Sequence, residues 1–363
     1  MAERTAVIVG GGIGGLAAAV ALRRIGWDVT VLERAREFTE VGAGLSLWPN
    51  GLRALELLGL REQVTALGVV EARGGVRDGK GRWLSRTGSA ELERRFGFPL
   101  VVVHRVDLMG ILLAALPPEA LRAGVEVTDV PAAELVVAAD GLGSAIRQRL
   151  WPRCEPRYAG HTAWRMITDP LPPLTEGAVT WGRGERFGFT EMSGGRVYCF
   201  AAATVPEGRA GVDGEYAELR RRFGSWPDPI PALLAATPPE SVLRHDLYDL
   251  PPLPSFVSGR TVLVGDAAHA MTPSLGQGAC QALEDAVTLA ACLQHTSDLP
   301  SALARYDRLR RPRTQAVVRR SARLGTIGQL AWPPAVLLRD VAARLTPTRM
   351  TLRSMAPILG WRM

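Results

Sequence analysis

Residues 5–33 settle the fold class before anything else in the chain is considered. A short β-branched run over 5–9 enters Gly10-Gly11-Gly12-Ile13-Gly14-Gly15 and continues into an alanine-rich helical stretch over 16–25. Gly26 stops that stretch, and a second β-branched run over 28–32 closes on Glu33-Arg34. Strand, glycine turn, helix and strand make a βαβ unit, and parallel strands joined through a helix commit the chain to a sheet with helices packed on it. The glycines have separate tasks: a turn that needs positive φ, a backbone that a pyrophosphate must approach closely, and a helix that must pack tightly on its strand. Glu33 stands 18 residues after Gly15, where a carboxylate accepts hydrogen bonds from the ribose of a dinucleotide.

A second turn of the same kind lies about 250 residues further on. Thr261-Val262-Leu263-Val264 reads as a buried strand that stops at Gly265-Asp266 and runs through Ala267-Ala268-His269 and Pro273 to Gly276-Gln277-Gly278, followed by a helix over 279–293. Such a turn aims backbone N–H groups and a helix N-terminus at an electron-rich ligand. The two turns are read as holding one long cofactor from its two ends. His269 is read as a structural residue at a helix start.

Between the turns the chain changes character. Gly42-Ala43-Gly44-Leu45-Ser46 precedes a helix over 50–58, and residues 69–85 have hairpin character around Asp78-Gly79-Lys80-Gly81. A strand over 100–104, a helix over 107–116, and strands over 124–129 and 134–139 follow. From 157 to 258, Trp164, Trp181, Phe187, Phe189, Tyr198 and Phe200 alternate in segments broken by Gly and Pro, which predicts an antiparallel sheet. Helices over 302–324 and 333–345 end the chain. The expected fold is α/β: a Rossmann-like cofactor domain with a parallel sheet, assembled from 1–68, 100–156 and 259–330. It is interrupted by a β-rich antiparallel substrate domain, 69–99 with 157–258, and followed by a helical segment, 331–363.

The net charge of +7 is almost entirely arginine, since Lys80 is the only lysine. The arginines are scattered rather than striped and no nucleic-acid motif accompanies them, so they read as solvated faces rather than a polyanion site. Cys154, Cys199, Cys280 and Cys292 show no metal-ligand spacing and fit reduced thiols in a cytoplasmic protein. Residues 6–22 are apolar but carry five glycines with Asp28 and Glu33 soon after, which fits a strand and buried helix rather than a leader or membrane span. No metal site and no protein partner is expected.

Three motifs in order resemble the para-hydroxybenzoate-hydroxylase-like FAD monooxygenases, most closely their salicylate-hydroxylase-like branch. They are Gly10 to Gly15 with Glu33-Arg34, Asp140-Gly141-Leu142-Gly143-Ser144-Ala145-Ile146-Arg147, and Gly265-Asp266-Ala267-Ala268-His269 with Pro273 and Gly276-Gln277-Gly278. The stretches from Gly42 to Leu58, His104-Arg105 and Ala163-Trp164-Arg165 are similar too. One departure stands out: only Val130-Pro131-Ala132-Ala133 separates the strand at Glu126 from the one at Glu134, where the family carries further strands of a meander.

The resemblance implies FAD stretched between the glycine turns, bound at Gly10, Gly12, Ile13, Gly14 and Gly15, with Glu33 and Arg34 at its adenosine end. It implies further cofactor contacts at Gly44, Arg105, Asp140, Gly141, Arg147, Gly265 and Asp266. Pro273, Gly276, Gln277 and Gly278 form the implied catalytic loop beside the flavin, with Gly276 and Gly278 counted as cofactor contacts as well. The implied reaction is hydroxylation or epoxidation of an aromatic or polyketide-like molecule with NAD(P)H and O2 through a flavin hydroperoxide. NADPH or NADH visits transiently, because no second βαβ glycine turn is present. Arg165, Trp181 and Tyr198 are candidates for the substrate face. His161, His245 and Tyr198 are candidate bases on the substrate, and a structural role is favoured for each. Competing readings are a flavin halogenase, for which Lys80 is the sole candidate relay lysine, an FAD dehydrogenase or oxidase, and a non-catalytic flavin-binding protein.

Overall fold

The computed structural model describes residues 4–38, 43–296 and 298–363, so Gly42 lies outside the described residues. A six-stranded sheet runs in the order Val257–Ser258, Thr261–Leu263, Leu135–Ala138, Thr5–Val9, Asp28–Glu33, Leu121–Ala123. All its pairs are parallel except the first. Both glycine turns therefore leave adjacent regions of one sheet, with Leu135–Ala138 between them. The Ile13–Arg24 helix is buried along most of its length, wedged between this sheet and the Gly278–Gln294 helix. Small residues permit the approach: a Cβ on Gly14 would lie 3.4 Å from that of Ala282.

The second sheet has seven strands in the order Leu243–Asp249, Arg157–Ile167, Val197–Ala203, Glu185–Glu191, Ala178–Trp181, Arg73–Asp78, Trp83–Gly88. It is antiparallel apart from the Ala178–Trp181/Arg73–Asp78 pair, which is parallel, so the expectation of a purely antiparallel sheet is corrected there. Side chains alternate between its faces. Trp164, Met166, Phe187, Phe189, Cys199 and Ala201 pack against the Glu215–Phe223 and Ile230–Ala235 helices. Their neighbours of opposite parity face the six-stranded sheet. A short third sheet pairs Val101–His104 with Gly44–Leu47 and Val69–Val70, so the hairpin expected from residue 69 begins at Arg73.

The strand expected over 124–129 does not form. Its place in the sheet is taken by Leu121–Ala123, beside the end of Asp28–Glu33. Gly124 then turns at φ +74°, and the N–H groups of Gly124 and Val125 donate to the carbonyls of Ala35 (2.7 Å) and Glu33 (2.8 Å). Beyond Glu33 the neighbouring chain has left the sheet, so the alternation of Val125-Glu126-Val127-Thr128 finds no ladder. Val127, Val130 and Ala133 pack on the main core instead.

The helix expected over 302–324 is the middle of a longer one, Leu299–Gly328, capped by the Asp298 carboxylate on the N–H of Ser301 (2.9 Å). The helix expected over 107–116 is Arg105–Ala114, opened by His104, whose Nδ1 accepts from the N–H of Val106. Pro333–Leu345 matches its expected bounds, and Thr348–Leu359 follows as a further helix. No helix among the described residues is long and apolar enough to cross a membrane.

Candidate functional site

One cavity of about 670 Å³ runs from the first glycine turn, past the second, to the inner face of the seven-stranded sheet. Every residue expected at the site lines it except Gly15 and Arg147.

At the first turn, Gly10 has φ +106°, and a Cβ there would lie 2.4 Å from the carbonyl oxygen of Ala139. A Cβ on Gly15 would lie 1.9 Å from the carbonyl oxygen of Gly10, so this glycine serves the packing of helix on turn and does not face the cavity. The Glu33 carboxylate accepts from the N–H of Gly11 (2.7 Å) and of Ala35 (2.9 Å). It thereby ties the second strand to the turn, and each oxygen keeps a lone pair for a ligand. Arg34 and the irregular Val125 to Thr128 segment border the same end.

In the middle, Asp140 accepts from the N–H of Ile146 through Oδ2 (3.3 Å), while its buried Oδ1 has no partner among the described residues. Gly141 and Gly143 present open backbone to the cavity. Arg147 is turned away. Its guanidinium donates to the carbonyls of Leu142 (2.5 Å), Ala267 (3.2 Å) and Cys154 (3.3 Å), and burial lowers its pKa. Its guanidinium clamps the Asp140 loop to the second glycine turn. Arg105 and Asp266 both line the cavity. Burial and the neighbouring Arg165 charge lower the Arg105 pKa, opposed by Asp266.

The second turn rests on a buried ionic floor. Gly265, at φ +62°, donates its N–H to Asp285 (2.9 Å), which also meets His269 Nε2 (2.6 Å) and Arg310 (2.6 Å). Burial pushes the Asp285 carboxyl upward, but the His269 and Arg310 charges outweigh it and hold it below the usual range. Glu284 binds Arg310 (2.5 Å), Arg313 (2.7 Å) and Asn50 (2.7 Å), and Asn50 also donates to the Gln277 side chain (2.9 Å). His269 therefore ends a one-turn helix, Asp266–His269, where a helix-start position was expected. Gln277 turns its amide into this floor while its backbone borders the cavity. Gly276 carries a positive φ of +60°, and a Cβ on Gly278 would meet nothing within 4 Å.

At the far end, the register of the seven-stranded sheet lays out two rows across four or five strands. The first runs Arg165, Phe200, Gly188, Val179, Val76, and the second Ala163, Ala202, Arg186, Trp181. Each of these residues except Gly188 lines the cavity. Gly188 makes room, since a Cβ there would strike Phe200 at 2.1 Å, and one on Gly44 would strike the Tyr198 ring at 2.3 Å. Burial raises the Tyr198 pKa against the pull of Arg165 and Arg105, so its hydroxyl stays protonated and can donate.

Arg186 was not among the residues singled out from the sequence. It is 4% exposed, and burial lowers its pKa to about 10. It donates to the Ser274 hydroxyl (3.2 Å), and its Nε has no partner. No carboxylate among the described residues pairs with it. Its signal was parity: Phe187 and Phe189 face the helices, so Arg186 faces the cavity with Tyr198, Phe200 and Trp181 on neighbouring strands. His161 and His245 do not line the cavity. His161 is pushed down to about 4 by burial and by Arg186, and its Nδ1 is held by the Ala159 carbonyl (2.9 Å).

A dinucleotide suits this cavity: glycines at its walls stand where side chains would fill it, a buried aspartate oxygen is left without a partner, and a helix N-terminus opens onto it. Comparison with known proteins agrees. The family described as "FAD binding domain" matches residues 3–114 and 253–321. The aurachin C monooxygenase/isomerase of Stigmatella aurantiaca is 40% identical over 94% of each chain. The FAD-dependent urate hydroxylase of Klebsiella pneumoniae is 34% identical over 86% of this chain and 87% of its own. The crystal structure of Klebsiella pneumoniae HpxO complexed with FAD and uric acid superposes with a TM-score of 0.91 at 29% identity, over 98% of this chain and 96% of the other.

Proposed function

The chain belongs to the class A FAD-dependent monooxygenases, and from that premise we propose that it uses NAD(P)H and O2 to hydroxylate or epoxidise a planar aromatic or polyketide-like molecule bearing an acidic oxygen. The observation that carries the substrate class is Arg186. A guanidinium buried among aromatic walls with no carboxylate partner is costly to keep, and an anionic oxygen on the substrate would offset that cost. Bound FAD supplies the passage of electrons from NAD(P)H to O2 and the delivery of one oxygen atom.

The protein's part is holding, orienting and keeping water out. The Gly10 to Gly14 backbone and the start of the Ile13–Arg24 helix receive the pyrophosphate. Glu33 and Arg34 take the adenosine end, Arg105 neutralises phosphate charge, and Asp266 accepts from the ribityl hydroxyls. Asp140, Gly141, Gly44 and Gly265 shape the wall between them, while Pro273, Gly276, Gln277 and Gly278 border the flavin. Arg186, with Arg165 lining the same cavity, binds the substrate oxygen and favours its ionised form, which enriches the ring in electrons. Tyr198 donates a hydrogen bond, and Trp181 and Phe200 flank the ring. The cofactor role thus falls to 1–68, 100–156 and 259–330, and the substrate role to 69–99 and 157–258. Four free thiols, three of them buried, support a cytoplasmic setting.

The test is a panel of acidic and neutral ring compounds offered to the FAD-loaded protein, with NAD(P)H oxidation read against peroxide release and isotopically labelled O2. Acidic rings should stimulate NAD(P)H oxidation and carry one labelled oxygen atom. Oxidation without label in the product would mean a dehydrogenase or oxidase. Gly278→Val, whose side chain would extend into open cavity, should keep the FAD and release peroxide in place of product.

A further inference from the structure

The Pro333–Leu345 helix is inside out. Its charged Arg339 is buried, donating to the carbonyls of Gly182 (3.2 Å) and Gly328 (3.4 Å), pairing with Asp340 (2.8 Å) and lying over the Trp181 ring at 5.2 Å. Four of its large apolar residues point away from the protein, while Val336 is half-buried. Leu337, Leu338 and Leu345 are 66%, 71% and 76% exposed, with Val341 between them and Trp332 immediately before the helix. The spacing 337, 341, 345 with 338 places these residues on one face. Seven of the fourteen large apolar side chains exposed anywhere among the described residues fall within 327–350. A water-facing helix has the opposite arrangement, so this face is made for another apolar medium.

The charges beside it say which. From residue 327 to the end the chain carries Arg339, Arg344, Arg349, Arg353 and Arg362 against a single acid, Asp340. Arg344 reaches Asp78 (3.4 Å). Arg349 and Arg353, one turn apart on the next helix, border a surface hollow with Arg94 and Arg95, where Glu91 is the only acid. No ion pair to a carboxylate is made by these four arginines among the described residues.

We propose that the Pro333–Leu345 helix docks the protein on an anionic phospholipid surface, with its leucine face among the acyl chains and the arginine hollow on lipid phosphates. At 13 residues it is about 20 Å long, too short for a hydrocarbon core of about 30 Å, so it lies in the plane of the interface. Trp332 sits where an indole suits the boundary between lipid and water. A second copy of the chain is the poorer occupant, because its own C-terminal segment carries the same excess of arginine, whereas an anionic lipid surface is complementary to it. Docking here sets the Trp181 end of the cavity towards the lipid, since Arg339 and Trp181 are stacked on the inner side of the same helix. The surface is independent of the reaction proposed above.

The experiment is vesicle flotation with the FAD-loaded full chain, on phosphatidylcholine alone and on phosphatidylcholine with phosphatidylglycerol. The wild type should float with the anionic vesicles and be partly released by salt. Leu338→Glu/Leu345→Glu should lower the partition by about tenfold or more, while Arg349→Glu/Arg353→Glu should abolish the preference for anionic over neutral vesicles. Both double variants should keep wild-type FAD absorbance and thermal midpoint, because all four side chains are exposed. The proposal is overturned if the wild type floats with neither vesicle or if both variants float like the wild type. A dimer in sedimentation that the leucine variant breaks, without vesicle binding, would assign the face to a second copy instead.

Discussion

The two ends of the cavity are made of different materials. At the end proposed for the nucleotide the wall is backbone: glycine turns, amide N–H groups, a helix start, and one carboxylate already engaged with two backbone amides. At the end proposed for the substrate the wall is made of side chains standing on a sheet: Arg186, Trp181, Tyr198 and Phe200. Backbone recognition leaves the residue type no freedom, because a Cβ on Gly10 would sit 2.4 Å from a carbonyl oxygen. Side-chain recognition leaves it nearly free, since a strand carries almost any residue in the same position. One end can therefore persist unchanged while the other is altered to take a new ring.

Gly10→Val tests this contrast hardest. Positive φ and the Ala139 contact together should destabilise the fold by roughly 3–5 kcal/mol, and denaturant unfolding with FAD quantitation should show stability and cofactor lost together. Arg186→Gln should do the reverse, keeping FAD and stability while kcat/KM for an acidic substrate falls by roughly 10- to 150-fold, the worth of a charged hydrogen bond. Loss of FAD from that variant would erase the distinction between the ends. Glu33→Ala should weaken FAD by about 1–3 kcal/mol, seen in a cofactor titration, and leave the substrate KM of the saturated enzyme unchanged.

The smallest effect belongs to His161, beside Arg186 on the substrate sheet. Its folded pKa of about 4 lies below the ordinary imidazole value of 6.5, so on acidification the unfolded chain takes up a proton that the folded chain refuses. Stability present above pH 6.5 is therefore lost as pH falls towards 4, amounting to about 1 kcal/mol between neutral pH and about 5.5. His161→Gln should flatten that slope in denaturant melts across the same range.

The same contrast explains what could be read in advance. Gly10 and Gly276 were legible because their positive φ favours glycine, and Gly12, Glu33 and Asp266 because they stand at fixed places in the two turns; all five line one cavity. Arg186 was not, because an arginine in a strand looks like a solvated edge until its parity and its neighbours' register are known. Arg147 was legible only as part of its motif: that its guanidinium faces inward to four carbonyls is seen in the structure alone. The strand over 124–129 failed for lack of a partner, which periodicity along a single segment does not report. The inverted Pro333–Leu345 helix shows the same limit, since a run of leucines reads as core until something is or is not found packed against it.

The ionic floor also sets a timetable. Gly265 is held by Asp285, Gln277 is tied to Glu284 through Asn50, and those carboxylates are balanced by Arg310 and Arg313. Arg310 follows Gly10 by about 300 residues. At ribosomal rates of about 5–20 residues per second, the first glycine turn waits roughly 15–60 s for the charges that complete the opposite wall. During that interval the nascent chain owns half a cofactor site, and only the arrival of the Leu299–Gly328 helix closes it.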